Sequence, residues 1–163
     1  MVTLGDEGWL CGGGDGSYAY SCAEGVDFAK NLAISTLDYG TSHIYPDQWG
    51  YNYSWGNTWI KDHDAIGAQV SKPVVLEEYG AQGANTTTVE QQWQTIVAED
   101  TGVAYDGFWQ SGTTLPSGMS ITDSYTIEYG TTEDQTSVLD HVQLMDRRQF
   151  SGCELSISDS PWT

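Results

Sequence analysis

The chain has 163 residues, enough for one domain with a real core, and its hydrophobic fraction of 39% is a little low. Its 23 acids against five bases give a net charge of −18, which repels phosphate backbones and anionic bilayers, so neither nucleic acid nor a membrane is expected as a partner. Seven Trp, ten Tyr and three Phe suit a cleft where flat rings meet the apolar faces of sugars, although most of these rings are expected in the core and its rim.

Residues 1–5, MVTLG, read as a short strand running into a loop. Residues 6–25 are polar and rich in Gly and Ser, and they contain Cys11 and Cys22. A short helix is expected over 26–34, where Val26, Ala29, Leu32 and Ala33 recur at helical spacing. Residues 39–45, YGTSHIY, read as a second strand stopped by Pro46, and an aromatic loop with Trp49, Tyr51, Tyr53 and Trp55 follows. The spacing predicts a helix over 57–70, with Trp59, Ile60, His63, Ile66 and Val70 on one side. Pro73 then opens a third strand, VVLEEY, whose continuously apolar start fits a strand buried on both faces.

Thr87 with Glu90 fits a capping box, starting a helix of about 12 residues with Val89, Trp93, Ile96 and Val97 inward. Residues 103–110, VAYDGFWQ, form the fourth strand. A Gly/Ser/Thr-rich loop runs over 111–124, YTIEYGTT is a short extended piece, and a helix over 135–147 carries Val138, Val142 and Met145. The tail after Arg148 is polar. Strand then helix, four times over, implies a parallel sheet. No sequence repeat accompanies the alternation, and a small open sheet and half of an eight-fold barrel both accommodate it.

No apolar run approaches the ~18 residues of a membrane-spanning helix. No basic stretch followed by an apolar one opens the chain, so no signal peptide is expected. Two N-x-S/T sequons, Asn52-Tyr53-Ser54 and Asn85-Thr86-Thr87, nonetheless agree with a secreted, extracellular origin. Three cysteines cannot all pair within one chain. Cys11 and Cys22 flank the Gly-rich loop and are placed to bridge, which leaves Cys153 over.

In a (β/α)8 barrel the reactive residues project from the C-terminal ends of the strands. Those ends carry Asp6 and Glu7, then His43-Ile44-Tyr45, then Glu77-Glu78-Tyr79-Gly80, then Trp109-Gln110. Carboxylates, imidazole, phenol and indole in such places suit glycoside hydrolysis, in which a carboxylate attacks the anomeric carbon above an aromatic floor. Adjacent strand residues point to opposite faces, so only one of Glu77 and Glu78 is expected to face the mouth. Gly80 lets the chain turn close behind and favours Glu78, without excluding Glu77.

GTSHIYPDQWG, KPVVLEEYG and YDGFWQSG, in that order and spacing, resemble glycoside hydrolase family 5, and within it the fungal endo-β-1,4-mannanase branch. GDEGWL near the start and YTIEYGTT…VLDHV near the end fit the same family, so the resemblance covers roughly residues 1–147. It implies a parallel (βα)4 half of a TIM (β/α)8 barrel, from the barrel's fifth strand to its eighth helix, with 148–163 as a polar tail. It places the nucleophile at Glu78, before the aromatic-Gly pair. Tyr45 is then the hydrogen-bond donor to the nucleophile, His43 lies near the acid/base and the substrate, and Trp109 is the sugar platform. The implied activity is retaining hydrolysis of internal β-1,4-mannosidic bonds in β-mannan, galactomannan or glucomannan; cellulose or β-glucan is served by the same residues.

The family's general acid/base is the Glu of an Asn-Glu-Pro motif, and no Asn-Glu-Pro occurs in the 163 residues. The family's Arg near the first strand and His near the third have no counterparts either. The chain reads as the second half of the barrel, lacking the half with the proton donor, and is expected to show little or no activity alone. A carbohydrate-binding or interaction protein that has lost catalysis is the other reading. Glu7 is the nearest candidate for a substitute acid or a substrate contact, although an acidic loop residue is more often simply solvated. Half a barrel leaves two open edges, and a homodimer, a missing N-terminal half as partner, and a flattened sheet are the open ways to cover them.

His63 and His141 lie in helices without a motif and are read as structural. Glu77 is expected to face the helices or to pair with a Lys or Arg. Trp49 and Trp55 serve either packing or sugar stacking. No His/Cys/Asp spacing marks a metal site, and no nucleotide or dinucleotide fingerprint occurs, so no cofactor is expected.

Overall fold

The computed structural model describes residues 1–83 and 86–148. Cys153, the sequon asparagine Asn85 and the tail from 149 onward lie outside the described residues. Helix α1 spans Phe28–Leu32, and Asp27 caps it by accepting the Lys30 N–H at 3.2 Å. Strand β1 spans Gly40–Ile44 and is followed by α2, Pro46–Trp49, and α3, Trp55–Val70. Strand β2, Val74–Tyr79, leads to α4, Thr86–Thr95, which continues as a π-helical turn over Ile96–Asp100. Strand β3 spans Tyr105–Phe108.

The three strands form one parallel sheet in the order β1-β2-β3. Beyond it, β4 (Ser111–Gly112) pairs with the later β7 (Ile127–Glu128), and β5 (Thr114–Leu115) forms a hairpin with β6 (Gly118–Met119). The closing helical segment is α5, Thr132–Asp134, a π-helical turn over Gln135–Leu139, and α6, Asp140–Asp146. Along it Met145 packs on the core, whereas Val142 is half-exposed.

The expected first strand does not form a regular ladder. Residues 2–8 run beside β1 and touch it at intervals. The Asp38 N–H donates to Val2 O at 2.8 Å, the Thr41 hydroxyl to Leu4 O at 2.8 Å, and the His43 N–H to Glu7 O at 3.2 Å. A side chain stands in for a backbone partner at Leu4, and Gly8, at φ +86°, turns the chain away. The close approach at Gly8 also requires glycine, because a Cβ there would lie 2.8 Å from His63 Nε2.

The core lies between the sheet and its helices. Trp59, Trp93, Tyr79, Ile44, Leu76 and Val97 are almost wholly buried. Helix α3 supplies Trp59, Ile60 and His63 at the expected spacing. It ends at Ser71 in the left-handed conformation, with the Lys72 N–H returning to Gly67 O at 3.0 Å. His63 is structural as expected: its ring nitrogens lie 2.8 Å from Trp59 O and 2.8 Å from Gly8 O. His141 is structural too. Its Nε2 meets both oxygens of the buried Asp106 carboxylate at 2.8 Å, tying α6 to β3.

The expected capping box is not formed. Thr87 donates instead to Glu133 Oε1 at 3.0 Å. Glu90 turns inward, is fully buried, and accepts the Ala81 N–H at 3.0 Å. Burial pushes its carboxyl up to about 8, against the lowering effect of that hydrogen bond. Glu90 therefore anchors the loop after β2 as a neutral acid, not a helix end.

Candidate active site

The site is built where β1 and β2 end. The register pairs Ser42 with Leu76 and then His43 with Glu78, so β2 spends one extra residue at Glu77. On the other flank Leu76 pairs with Asp106 and Tyr79 with Phe108, again two steps of β3 against three of β2. This is a β-bulge, a device that re-aims side chains at a strand end.

The bulge corrects two expectations. Alternation across the sheet is suspended, so Glu77 and Glu78 both reach His43. Glu77 Oε2 lies 3.2 Å from His43 Nε2, and Glu78 Oε2 lies 3.9 Å from Nδ1. Glu77 thus faces His43, in place of the expected helix-facing position or Lys or Arg partner. Glu7 Oε2 approaches the same Nδ1 at 3.4 Å. Glu7 is therefore part of the cluster, not a freely solvated loop acid.

The Tyr45 hydroxyl donates to Glu78 Oε2 at 2.8 Å. Burial first, and then the Glu78 carboxylate, push the Tyr45 phenol far above its ordinary value, so it remains a donor. Tyr125 packs edge-on against Tyr45 at 5.3 Å. Its hydroxyl reaches Asp47 Oδ1 at 3.3 Å, and Asp47 Oδ2 accepts the Gln82 N–H at 3.2 Å. Asp47 was missed from sequence, although it sits inside the HIYPDQW motif directly after Pro46. Gly80 leaves room for this packing, since a Cβ there would lie 2.7 Å from the Tyr125 ring.

His43 is held on both sides of its backbone: its N–H donates to Glu7 O and its carbonyl accepts Trp59 Nε1–H at 2.9 Å. Burial pulls its imidazole pKa down, but the Glu7, Glu77 and Glu78 carboxylates outweigh that and the net direction is up.

Trp109 follows β3 and is 41% exposed. Its N–H donates to Tyr79 O at 2.9 Å and its Nε1–H to Asp123 Oδ2 at 3.0 Å. Asp123 Oδ2 also accepts Gln110 Nε2–H at 3.0 Å, so the loop over 111–124 folds back to fix the indole edge. Asp123 gave no signal in a loop dominated by Gly, Ser and Thr.

Trp55 is not available for a sugar. Tyr51 stacks on it at 4.2 Å and Trp59 at 4.8 Å, and two rings at those distances must take opposite faces. Trp49 meets Trp9, Tyr45, Trp55 and Trp59 edge-on and is a packing residue. Among the described residues, no group of three or more His, Cys, Asp or Glu could hold a metal ion. Cys11 and Cys22 form a disulfide beneath the Gly-rich loop.

The arrangement presents one carboxylate steadied by a phenol, with an exposed indole at the next strand end. Together with the parallel sheet, it is that of part of a (β/α)8 barrel with its polar side chains at the C-terminal strand ends. No protein-family model matches the chain. It is 48% identical over 147 residues to mannan endo-1,4-beta-mannosidase A of Hypocrea jecorina, covering 90% of this chain and 33% of that protein. It is 48% identical over 143 residues to the enzyme of the same name from Aspergillus aculeatus, covering 87% and 38%. Among solved structures, the endo-1,4-beta-mannanase of Rhizomucor miehei superposes with a TM-score of 0.78 at 35% identity, over 91% of this chain and 41% of that one. The endo-beta-1,4-mannanase of Thermotoga petrophila gives 0.79 at 31% identity, over 90% and 36%. The resemblance to family 5 mannanases and the partial-barrel fold therefore hold, and the chain spans about a third of the curated relatives it matches.

Proposed function

We propose that the chain carries the nucleophile side of a retaining endo-β-1,4-mannanase, with Glu78 as the attacking carboxylate. The observation that carries this reading is the 2.8 Å bond from Tyr45 to Glu78, which steadies one oxygen and leaves the other for the anomeric carbon. In that mechanism Glu78 forms a glycosyl ester and the sugar oxygen leaves, and water later hydrolyses the ester. Trp109 is the sugar platform, and β-mannan, galactomannan or glucomannan is the substrate.

The leaving oxygen needs a proton from a second carboxyl about 5–5.5 Å from the first. Glu7 and Glu77 both face imidazole nitrogens of His43, which commits them to that ring rather than to a leaving oxygen. No Asn-Glu-Pro lies within the 163 residues. On this reading the 163 residues do not supply the family's general acid, a group worth ~10²–10⁴-fold. A first-half barrel segment or a second copy of the chain is the partner that would complete the cleft. The Cys11–Cys22 bridge supports folding in an oxidising, extracellular compartment.

The exposed, anchored Trp109 favours a second reading, carbohydrate binding without catalysis. Reducing-sugar release from galactomannan, with Glu78→Ala as control, tests the proposal. Ordinary enzyme turnover by the chain alone, ~1–10³ per second, would overturn the missing-acid argument. Quenching of Trp fluorescence by manno-oligosaccharides that is unaffected by Glu78→Ala, with no hydrolysis under any condition, would favour the second reading.

A further inference from the structure

We propose that Glu7 and Glu77 are positioning residues that clamp His43 as an imidazolium beside Glu78. The inference deepens the hydrolase reading of this site, and its test is independent of hydrolysis. The two ring nitrogens of His43 each face a different carboxylate, Nδ1 to Glu7 at 3.4 Å and Nε2 to Glu77 at 3.2 Å. A neutral imidazole has one donor and one acceptor nitrogen. Either neutral tautomer would set a nitrogen lone pair against a carboxylate oxygen. Only the doubly protonated ring turns an N–H toward both.

The clamp is fixed from outside the ring. The His43 N–H and carbonyl are both committed, to Glu7 O and Trp59 Nε1–H. Glu7 Oε2 is shielded from solvent and makes no hydrogen bond among the described residues, so the imidazole edge is the charge that faces it. The bulge at Glu77 brings both Glu77 and Glu78 to the imidazole, where a regular strand would send one of the two to the other face.

None of the other neighbouring groups brings a competing positive charge to the ring. From β2, Glu78 adds a third carboxylate at 3.9 Å. From the residue after β1, the Tyr45 hydroxyl is turned to Glu78. From the segment before β1, Asp6 Oδ1 is occupied by the Gly8 N–H at 2.8 Å. From α3, Trp59 offers only an indole N–H, and His63 is engaged with two carbonyls. From α2, Asp47 is spent on Gln82 and Tyr125.

A cation beside Glu78 favours its ionised, attacking form. When Glu78 becomes an ester and loses its charge, Glu7 and Glu77 still hold the imidazolium, so no proton need leave the ring during turnover. Loss of the His43 proton then sets an alkaline limit on the site.

The test is a pH titration of the imidazole nitrogens by NMR on the 163-residue chain, with His43 assigned through His43→Gln. The expected result is a doubly protonated His43 at pH ~7, with its midpoint above the ordinary ~6.5. Glu7→Gln and Glu77→Gln should each bring the midpoint down, and together take it below ~6.5, because only burial and the more distant Glu78 remain. A single neutral tautomer at pH ~7 in the wild type overturns the proposal whether or not the variants fold. So does a midpoint that neither substitution moves. A clamped imidazolium in a protein that never forms an ester at Glu78 would retain this inference and remove the hydrolase reading.

Discussion

Tyr45 donates to the same Glu78 oxygen that lies nearest His43 Nδ1, so phenol and imidazole converge on one carboxylate atom. In the proposed mechanism the other oxygen is the one that attacks. Tyr45→Phe removes one hydrogen bond to a charged group, worth about 1.5–3 kcal/mol. The expected loss is about 10- to 100-fold in kcat/KM on an aryl β-mannobioside with an activated leaving group. An unchanged rate would mean that Tyr45 does not orient the attacker.

Trp109 and Trp55 should separate cleanly. Trp109→Ala is expected to abolish quenching by manno-oligosaccharides while leaving the melting temperature nearly unchanged, because the ring is exposed. Trp55→Ala removes a ring sandwiched between Tyr51 and Trp59 and should cost about 3 kcal/mol of stability. Thermal melts and fluorescence titrations on both variants check this. The opposite pattern would move the sugar platform from β3 to the aromatic loop.

Glu90 makes stability depend on pH in a direction opposite to most carboxylates. Its folded pKa, about 8, lies above its ordinary value of 4.5. Below 4.5 both folded and unfolded forms hold the proton, so there is no penalty. Between 4.5 and 8 the unfolded chain releases the proton while the folded chain keeps it, and stability falls as pH rises. Glu90→Gln keeps the acceptor for the Ala81 N–H and should remove this slope, leaving the variant more stable than wild type near pH 8. Denaturant midpoints across that window are the measurement.

Gly8→Ala should destabilise on two counts, a left-handed φ of +86° and a Cβ 2.9 Å from Ser42 Cβ. The expected cost is about 1–3 kcal/mol. Because Gly8 directs Glu7 toward His43, the same variant should also lower the His43 titration midpoint.

The parts of the fold legible in sequence were those set by local pattern. Trp59, Ile60 and His63 recur at helical spacing and are buried as that spacing requires. The apolar run VVL lies in the central strand, although only Val74 and Leu76 are buried and Val75, on the other face, is half-buried. The motif order also brought His43, Tyr45, Glu78 and Trp109 to neighbouring strand ends. What escaped depends on partners distant in sequence. The bulge at Glu77 appears only against the register of β1 and β3. Glu90 has the spacing of a cap, but the Ala81 N–H, nine positions earlier, claims it. MVTLG has strand propensity, yet its contacts to β1 run through Thr41 and turns set by glycine.

The most direct measurement uses a fluorinated β-mannobioside with a dinitrophenolate leaving group, followed by peptide mapping of the 163-residue chain. Dinitrophenolate departs without a proton, so labelling does not depend on a general acid, and the fluorine slows hydrolysis of the ester. The account predicts one glycosyl group on Glu78, lost in Glu78→Ala, from a protein that barely cleaves mannan. A label on Glu77 or Glu7, or rapid mannan hydrolysis that leaves Glu78 unlabelled, would contradict it.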